Sequence, residues 1–203
     1  SDPWVQRTPG KDERPEDNQF YARDDKSEGT LHYNGTLEQA ADAVFLKLYA
    51  DDKLIKTENQ TLGADKTYAF AVKLKPGLIK YKAEFGARTG GFEAALRTVT
   101  NLVCGDAYLI DGQSNAEATG PNNGPNEDPF TPFNDWIRSY GNQLEGAIRG
   151  GWGNAVRTHI WGKANYGCHQ IGAWGMVLAS SLVAKYHVPV CIINGAIGGT
   201  PIW

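Results

Sequence analysis

Short runs in which hydrophobic and polar side chains alternate occupy the chain from residue 29 to residue 102. The clearest runs are residues 44–49, 67–74 and 79–85, and turn residues separate them. Aromatic and β-branched side chains at every second position are typical of strands with one buried face. The spacing predicts a small antiparallel β-sandwich domain over residues 29–102.

The pattern changes in the second half of the chain, where the apolar residues stop alternating. Residues 107–110 and 190–194 are unbroken apolar runs, typical of strands covered on both faces. Between them, residues 171–186 place apolar side chains at steps of three and four, which predicts a helix with Trp174 on its buried face. Strand, connection, helix and strand in this order favour a parallel α/β domain over residues 103–203.

Two segments lack such periodicity. Residues 1–28 combine prolines with many charged side chains, so we interpret them as an extended leader. Residues 118–167 are rich in glycine, asparagine, proline and tryptophan and are too long for a plain connection. We expect this second segment to form loops that shape a binding cleft.

Charge and composition disfavour several classes of protein. The 203 residues carry 20 Lys and Arg against 23 Asp and Glu, a net charge of −3. Such a balance disfavours nucleic acid and anionic membranes as partners, and no apolar run is long enough to cross a bilayer. The three cysteines have no C-x-x-C spacing, so we expect buried thiols rather than a zinc site.

The candidate chemistry begins at the end of the first apolar run. Ser114 follows Gly112 by two residues, at a position where parallel sheets present groups to ligands. Gly112 permits a tight turn whose backbone amides could donate to an oxyanion. A serine in such a turn also caps helices, so spacing alone leaves both roles open. We interpret Asp111 as a hydrogen-bonding group of the turn or the sheet end.

Two separate blocks resemble one known family. Gly112-Gln113-Ser114-Asn115 looks like the first block of the SGNH hydrolases of the sialate O-acetylesterase and acetylxylan esterase type. Residues 194–202 read Asn-Gly-Ala-Ile-Gly-Gly-Thr-Pro-Ile and are similar to the glycine block of that family. This second block directly follows the second apolar run, and the resemblance covers residues 103–202.

The resemblance implies a fold and an activity. The implied fold is α/β, with a parallel-sheet SGNH-type (flavodoxin-like) hydrolase domain, incomplete in this chain, after the small antiparallel β-sandwich. The implied activity is that of a serine carbohydrate esterase, which removes O-acetyl groups from a glycan of sialic acid or xylan type through an acyl-serine intermediate. Ser114 would be the nucleophile, and backbone amides of Ser114 and of the Gly198-Gly199 pair would form the oxyanion hole. Neither a metal nor a cofactor is expected.

The resemblance also implies groups that this sequence does not match. The family has an Asp-x-x-His block that supplies the base and an Asn or Gln oxyanion donor, and neither occurs in the chain. We interpret His32 and His187 as structural, and we leave His159 and His169, in or beside the cleft loops, unassigned as the base. We therefore expect the rest of the hydrolase domain to lie in a further part of the protein or in a second polypeptide.

Several other residues are candidates for substrate binding. Gln113 and Asn115 flank the serine, and Trp152 and Trp161 lie in the glycine-rich loops, where a flat ring could pack or could stack on a sugar. The expected partner is an acetylated oligosaccharide or polysaccharide, and this substrate class favours a secreted or periplasmic location.

Two other functions are compatible with the sequence. The first is a non-catalytic glycan-binding module on an esterase-like scaffold, which the unmatched catalytic blocks favour. The second is an inert proteolytic fragment, whose exposed sheet edge would pair or aggregate.

Overall fold

The computed structural model describes residues 8–117, 134–141, 151–156 and 169–199 of the chain. Strands dominate these residues, and two short to medium α-helices accompany them in the described part. The backbone contacts divide the chain into two units, Ser1–Cys104 and Gly105–Trp203. Nowhere in the described ranges is a helix long and apolar enough to cross a membrane.

Antiparallel strand pairs make up most of the first unit. β2 and β5 pair along their whole length, and β4, β3, β6 and β7 pair in that order, with β1 also pairing with β7. The strands are β1 Phe20–Ala22, β2 Gly29–Thr36, β3 Ala43–Ala50, β4 Lys53–Thr61, β5 Thr67–Leu74, β6 Tyr81–Thr89 and β7 Phe92–Ile110.

The core of the first unit follows from the alternation in its strands. In β5 every second side chain, from Tyr68 to Leu74, is buried. Aromatic rings fill much of this core, and Tyr33 stacks on Phe85 with the ring centroids 4.5 Å apart. Strands of both sheets contribute to the same hydrophobic cluster. The alternating pattern therefore identified the buried faces correctly in this part of the chain.

Residues 8–28 are attached to the first unit. Phe20 and Tyr21 are buried, and the carboxylate of Asp17 accepts a hydrogen bond of 2.7 Å from the backbone amide of Thr100. The interpretation as an extended leader did not include this burial. The signal is weak in the sequence because the apolar residues of this segment are adjacent and do not form a periodic run.

The second unit contains a parallel pair of strands. Residues 106–110 of β7 pair in parallel with β10, Val190–Asn194, and the helix α2, Ala173–Tyr186, precedes β10. This arrangement confirms the predicted order of strand, helix and parallel strand. Leu109 is 73% exposed, however, so the prediction that residues 107–110 are covered on both faces is wrong.

A second parallel neighbour of β10 was missed by the sequence analysis. β8, Ile137–Gly141, pairs in parallel with β10, and β9, Gly151–Asn154, pairs in antiparallel fashion with β8. Both strands fall within residues 118–167, which we expected to form loops. They are short and glycine-rich, and they lack the alternation by which strands are recognised.

The buried face of α2 differs from the predicted face. Trp174 is 41% exposed, whereas the side chains that face the protein interior are small or flexible. At Gly175 an added Cβ would lie only 3.2 Å from Cδ1 of Ile110, so the helix approaches the sheet closely there. The small residues Gly175 and Ala179 allow this approach, and Met176 and Val183 are buried with them, whereas Trp174, Val177 and Leu178 are exposed.

Candidate active site

Ser114 lies at the carboxyl end of β7. The carboxylate of Asp111 accepts a hydrogen bond of 2.8 Å from the backbone amide of Gly112, as expected for a turn residue. Gly112 has a φ of 140°, a backbone conformation that side chains disfavour. The short helix α1, Ser114–Glu117, follows immediately, and Ser114 is exposed at its first position.

The glycine block lies beside this serine turn. The backbone amide of Gly195 donates to the carbonyl of Ile110 at 2.9 Å, and that of Ile197 donates to the carbonyl of Gly112 at 3.1 Å. A Cβ added to Gly198 would be 3.8 Å from Cβ of Ser114. The two sequence blocks that carry the family resemblance are therefore neighbours in space.

Asn194 joins three segments of the site. Its Nδ2 donates to the carbonyl of Ala116 at 3.2 Å and to the carbonyl of Ile171 at 3.1 Å. Its Oδ1 accepts a hydrogen bond of 3.0 Å from the amide of Ala196. One side chain thus ties α1, the segment before α2 and the glycine block together. The sequence analysis gave this residue no role, although an asparagine at the end of a buried strand was the available signal.

Glu117 is a buried carboxyl group at the site. It is only 5% exposed, and its Oε2 would be 2.6 Å from a Cβ added to Gly198. The carboxyl group therefore occupies the space that a side chain at position 198 would need. A side chain at position 198 would therefore have to displace this carboxyl group, and Glu117 was not predicted as part of the site.

The candidate substrate-binding residues differ in their exposure and in their position relative to Ser114. Gln113 and Asn115 are exposed on either side of Ser114. Trp152 is in β9 and half-buried, and its ring packs edge-on against Tyr140 with the centroids 5.1 Å apart. Trp161 lies outside the described residues.

The described histidines hold structural positions. Nε2 of His169 lies 3.0 Å from the carbonyl oxygen of Gly151, and its ring lies directly against Gly153. His187 adopts a left-handed conformation at the end of α2, where its amide donates to the carbonyl of Val183. His32 lies in β2 of the first unit, and His159 lies outside the described residues.

Two buried polar groups shape the electrostatics of the second unit. Arg138 in β8 is fully buried and donates to Oδ1 of Asn154, and burial lowers the pKa of its guanidinium to about 10. Burial raises the pKa of the Cys191 thiol in β10 to about 12. Cys191 is therefore protonated near neutral pH and is not a candidate nucleophile.

Cys104 is buried like Cys191, as the sequence analysis expected, and Cys168 lies outside the described residues. In the described ranges, His, Cys, Asp and Glu side chains form no cluster of three or more that could hold a metal ion.

Comparison with solved structures finds proteins that are similar to this chain. No protein-family model and no curated protein matches the chain. The structure is similar to that of a carbohydrate acetylesterase from Xanthomonas citri, with a TM-score of 0.44 and 19% sequence identity. The match covers 92% of this chain and 39% of that protein, so the chain spans well under half of its length. At this TM-score the likeness does not assign an activity to the present chain.

Proposed function

We propose that this chain carries the nucleophile and the oxyanion donors of a serine carbohydrate esterase. The proposed fold is an SGNH-type α/β hydrolase domain that follows a β-sandwich. The observation that supports the proposal best is the position of Ser114, exposed at the carboxyl end of β7 and beside Gly198. Because Ser114 is exposed, an ester group can reach its hydroxyl from solvent.

The proposed reaction is the removal of an acetyl group from a sugar hydroxyl. Oγ of Ser114 forms a bond to the acetyl carbon, and its proton passes to a general base. The carbonyl oxygen becomes an oxyanion, to which the amides of Ser114 and of Gly198 or Gly199 donate. The bond to the sugar oxygen then breaks, the sugar leaves with a proton, and water releases acetate from the acyl-serine.

We infer that the base belongs to a part of the enzyme outside the described residues or to a second polypeptide. The ring of His169 lies against the carbonyl oxygen of Gly151, and His187 lies at the end of α2, so neither is assigned this role. The proposed partner is an acetylated oligosaccharide or polysaccharide. The location that fits such a substrate is outside the cell or in the periplasm.

Labelling with a fluorophosphonate and measurement of acetate release test the proposal together. We would use the protein from its native source, with any further part of the enzyme retained, and map the label by peptide mass spectrometry. The label is expected on Ser114. In the same full-length form, Ser114→Ala should lower acetate release from acetylated xylo-oligosaccharides by about 10³-fold or more.

Ser181→Ala is the matched control for this experiment. Ser181 is another exposed serine, and its hydroxyl donates to the carbonyl of Val177 within α2 at 2.8 Å. Its substitution should leave both labelling and acetate release unchanged. Acetate release that persists in Ser114→Ala would overturn the proposal. Binding of acetylated and deacetylated oligosaccharides without turnover would favour the non-catalytic glycan-binding module instead.

A further inference from the structure

Trp174 combines an exposed ring with a fixed position. It lies in the first turn of α2, where 41% of its surface is exposed. Nε1 of its indole donates to the backbone carbonyl of Asn115 at 3.2 Å. This nitrogen is the only polar atom of the side chain, so the exposed part of the ring is carbon surface.

The position of this ring relative to Ser114 is set by hydrogen bonds on both sides. Asn115 is the residue directly after Ser114, and its carbonyl holds the indole edge. Asn194 ties the segment before α2 to α1 through the carbonyls of Ile171 and Ala116. The indole ring is thus held against the residue that follows the nucleophile in the sequence. A ring that is already held in place loses less conformational entropy when a ligand binds.

We propose that Trp174 is a stacking platform for a sugar ring of the substrate. The inference rests on the proposed function and deepens it. Indole is a large, rigid and flat apolar surface, and a pyranose presents C–H groups on its faces. Such a platform suits a pyranose whose substituents are equatorial, because axial groups would hold the sugar away from the ring.

This chemistry distinguishes the two glycan classes that the proposed function leaves open. A xylan backbone consists of pyranose rings with equatorial substituents and no exocyclic carbon. Sialic acid carries a carboxylate and a three-carbon side chain on its ring. The platform therefore favours acetylated xylan-type chains over O-acetylated sialic acid as the substrate.

Two substitutions separate the effect of the flat ring from the effect of the hydrogen bond that the indole donates. Trp174→Phe and Trp174→Leu both remove the Nε1 donor, but only phenylalanine keeps a flat aromatic face. If the ring stacks on the sugar, KM for acetylated xylo-oligosaccharide should rise about 10-fold in Trp174→Leu and clearly less in Trp174→Phe. With p-nitrophenyl acetate, which has no sugar, the two variants should have the same kcat/KM as each other, because both lose the hydrogen bond to Asn115 equally.

A merely positioning role for Trp174 predicts a different result. If the residue acts only by holding Asn115, both variants should lower kcat equally, and p-nitrophenyl acetate should be affected as much as the oligosaccharide. That outcome would overturn the inference, and so would an unchanged KM in Trp174→Leu. Equal effects on acetylated xylo-oligosaccharide and O-acetylated sialic acid would overturn the assignment of the substrate class.

Two further variants complete the experiment. Tyr186→Ala removes another aromatic ring, which is 54% exposed at the opposite end of α2. This variant should change neither KM for the acetylated oligosaccharide nor kcat/KM for p-nitrophenyl acetate. Ser114→Ala separates the two proposals, because activity that survives it contradicts the esterase itself. If Ser114→Ala is inactive while Trp174→Leu has a normal KM, the esterase proposal stands and the stacking platform alone fails.

Discussion

At the scale of single residues, Gly198 lies against the buried carboxyl group of Glu117. A methyl group at this position would be 2.6 Å from Oε2 of the buried Glu117. Gly198→Ala must therefore displace the carboxyl group or the glycine turn. We expect it to lower the free energy of unfolding by about 1–3 kcal/mol, as other overpacked sites do, measured by urea unfolding.

The double variant Gly198→Ala/Glu117→Ala checks this cause. Removing the carboxyl group vacates the space that the new methyl needs, so the two substitutions should be strongly non-additive. Gly195→Ala is the matched control and should change stability little, since the nearest atom to an added Cβ there is the carbonyl oxygen of Ile110 at 3.8 Å, an ordinary van der Waals distance. Additive effects in the double variant would show that Glu117 does not restrict position 198.

Cys191 predicts a pH dependence of stability. Burial raises the pKa of this thiol from 9.0 to about 12, so the unfolded chain loses the proton first as the pH rises. The contribution is fully present below pH 9 and is lost as the pH rises toward 12. Arg138 faces Cys191, and the pKa of its guanidinium is lowered. Arg138 is present both in the parent protein and in Cys191→Ala, the variant used for comparison.

The measurement is urea unfolding of the parent protein and of Cys191→Ala at pH 8 and pH 10. Between these values the stability advantage of the parent over the variant should shrink by about 1 kcal/mol, because the unfolded chain loses the thiol proton over this range and the folded chain keeps it. A stability advantage that is constant, or that grows toward pH 10, would show that burial does not raise the pKa of the Cys191 thiol.

The sequence predicted the turn around Ser114 because that structure is local. A strand end, a glycine and a polar run specify such a turn within a few residues. Glu117 was not recognised because its burial depends on Gly198, which lies far away in the sequence. Trp174 was assigned to the core because it is large and apolar, and its partner, the carbonyl of Asn115, has no signature in side-chain patterns.

At the scale of elements, Asn194 connects β10 with α1 and with the segment before α2. Asn194→Asp keeps the acceptor for Ala196 but replaces the Nδ2 donor with an oxygen beside two carbonyl groups. We expect a loss of about 1–3 kcal/mol in stability, because two carbonyls lose their partner. Hydrogen exchange should accelerate in residues 112–117.

Asn59→Asp serves as the control for this substitution. Asn59 lies on the exposed strand β4, where its Oδ1 is 3.4 Å from the guanidinium of Arg88, and an aspartate can accept the same bond. Stability should therefore change little in this variant. If Asn194→Asp were equally harmless, the three hydrogen bonds of Asn194 would not be what holds these elements together.

The elements themselves were predictable to different degrees. β5 alternates strictly and was recognised, because its single buried face determines every second residue. β8 and β9 were not predicted as strands. In β8 the charged residue Arg138 indicates a surface position in a sequence pattern, although its side chain is fully buried. The buried face of α2 was misassigned because Gly175 and Ala179 pack closely, and periodicity weights large side chains more than small ones.

At the scale of the whole molecule, the hydrophobic cluster of the first unit is contained within that unit. The first unit has a hydrophobic cluster whose buried members all lie between Tyr21 and Cys104. In the second unit, Leu109 and its parallel partner Ile193 are both exposed on neighbouring strands. The sequence predicted buried strands here from their unbroken apolar runs, but such a run does not reveal which layer covers each face.

This containment of the cluster predicts that the first unit folds without the second. A fragment of residues 8–104 contains every buried member of that cluster, so it should unfold cooperatively in urea and retain a near-UV circular dichroism signal. Leu46 is buried in this core, and Leu46→Ala should destabilise the fragment and the full chain alike, by about 2–5 kcal/mol. A fragment without a cooperative transition would mean that residues beyond Cys104 are needed to stabilise these sheets.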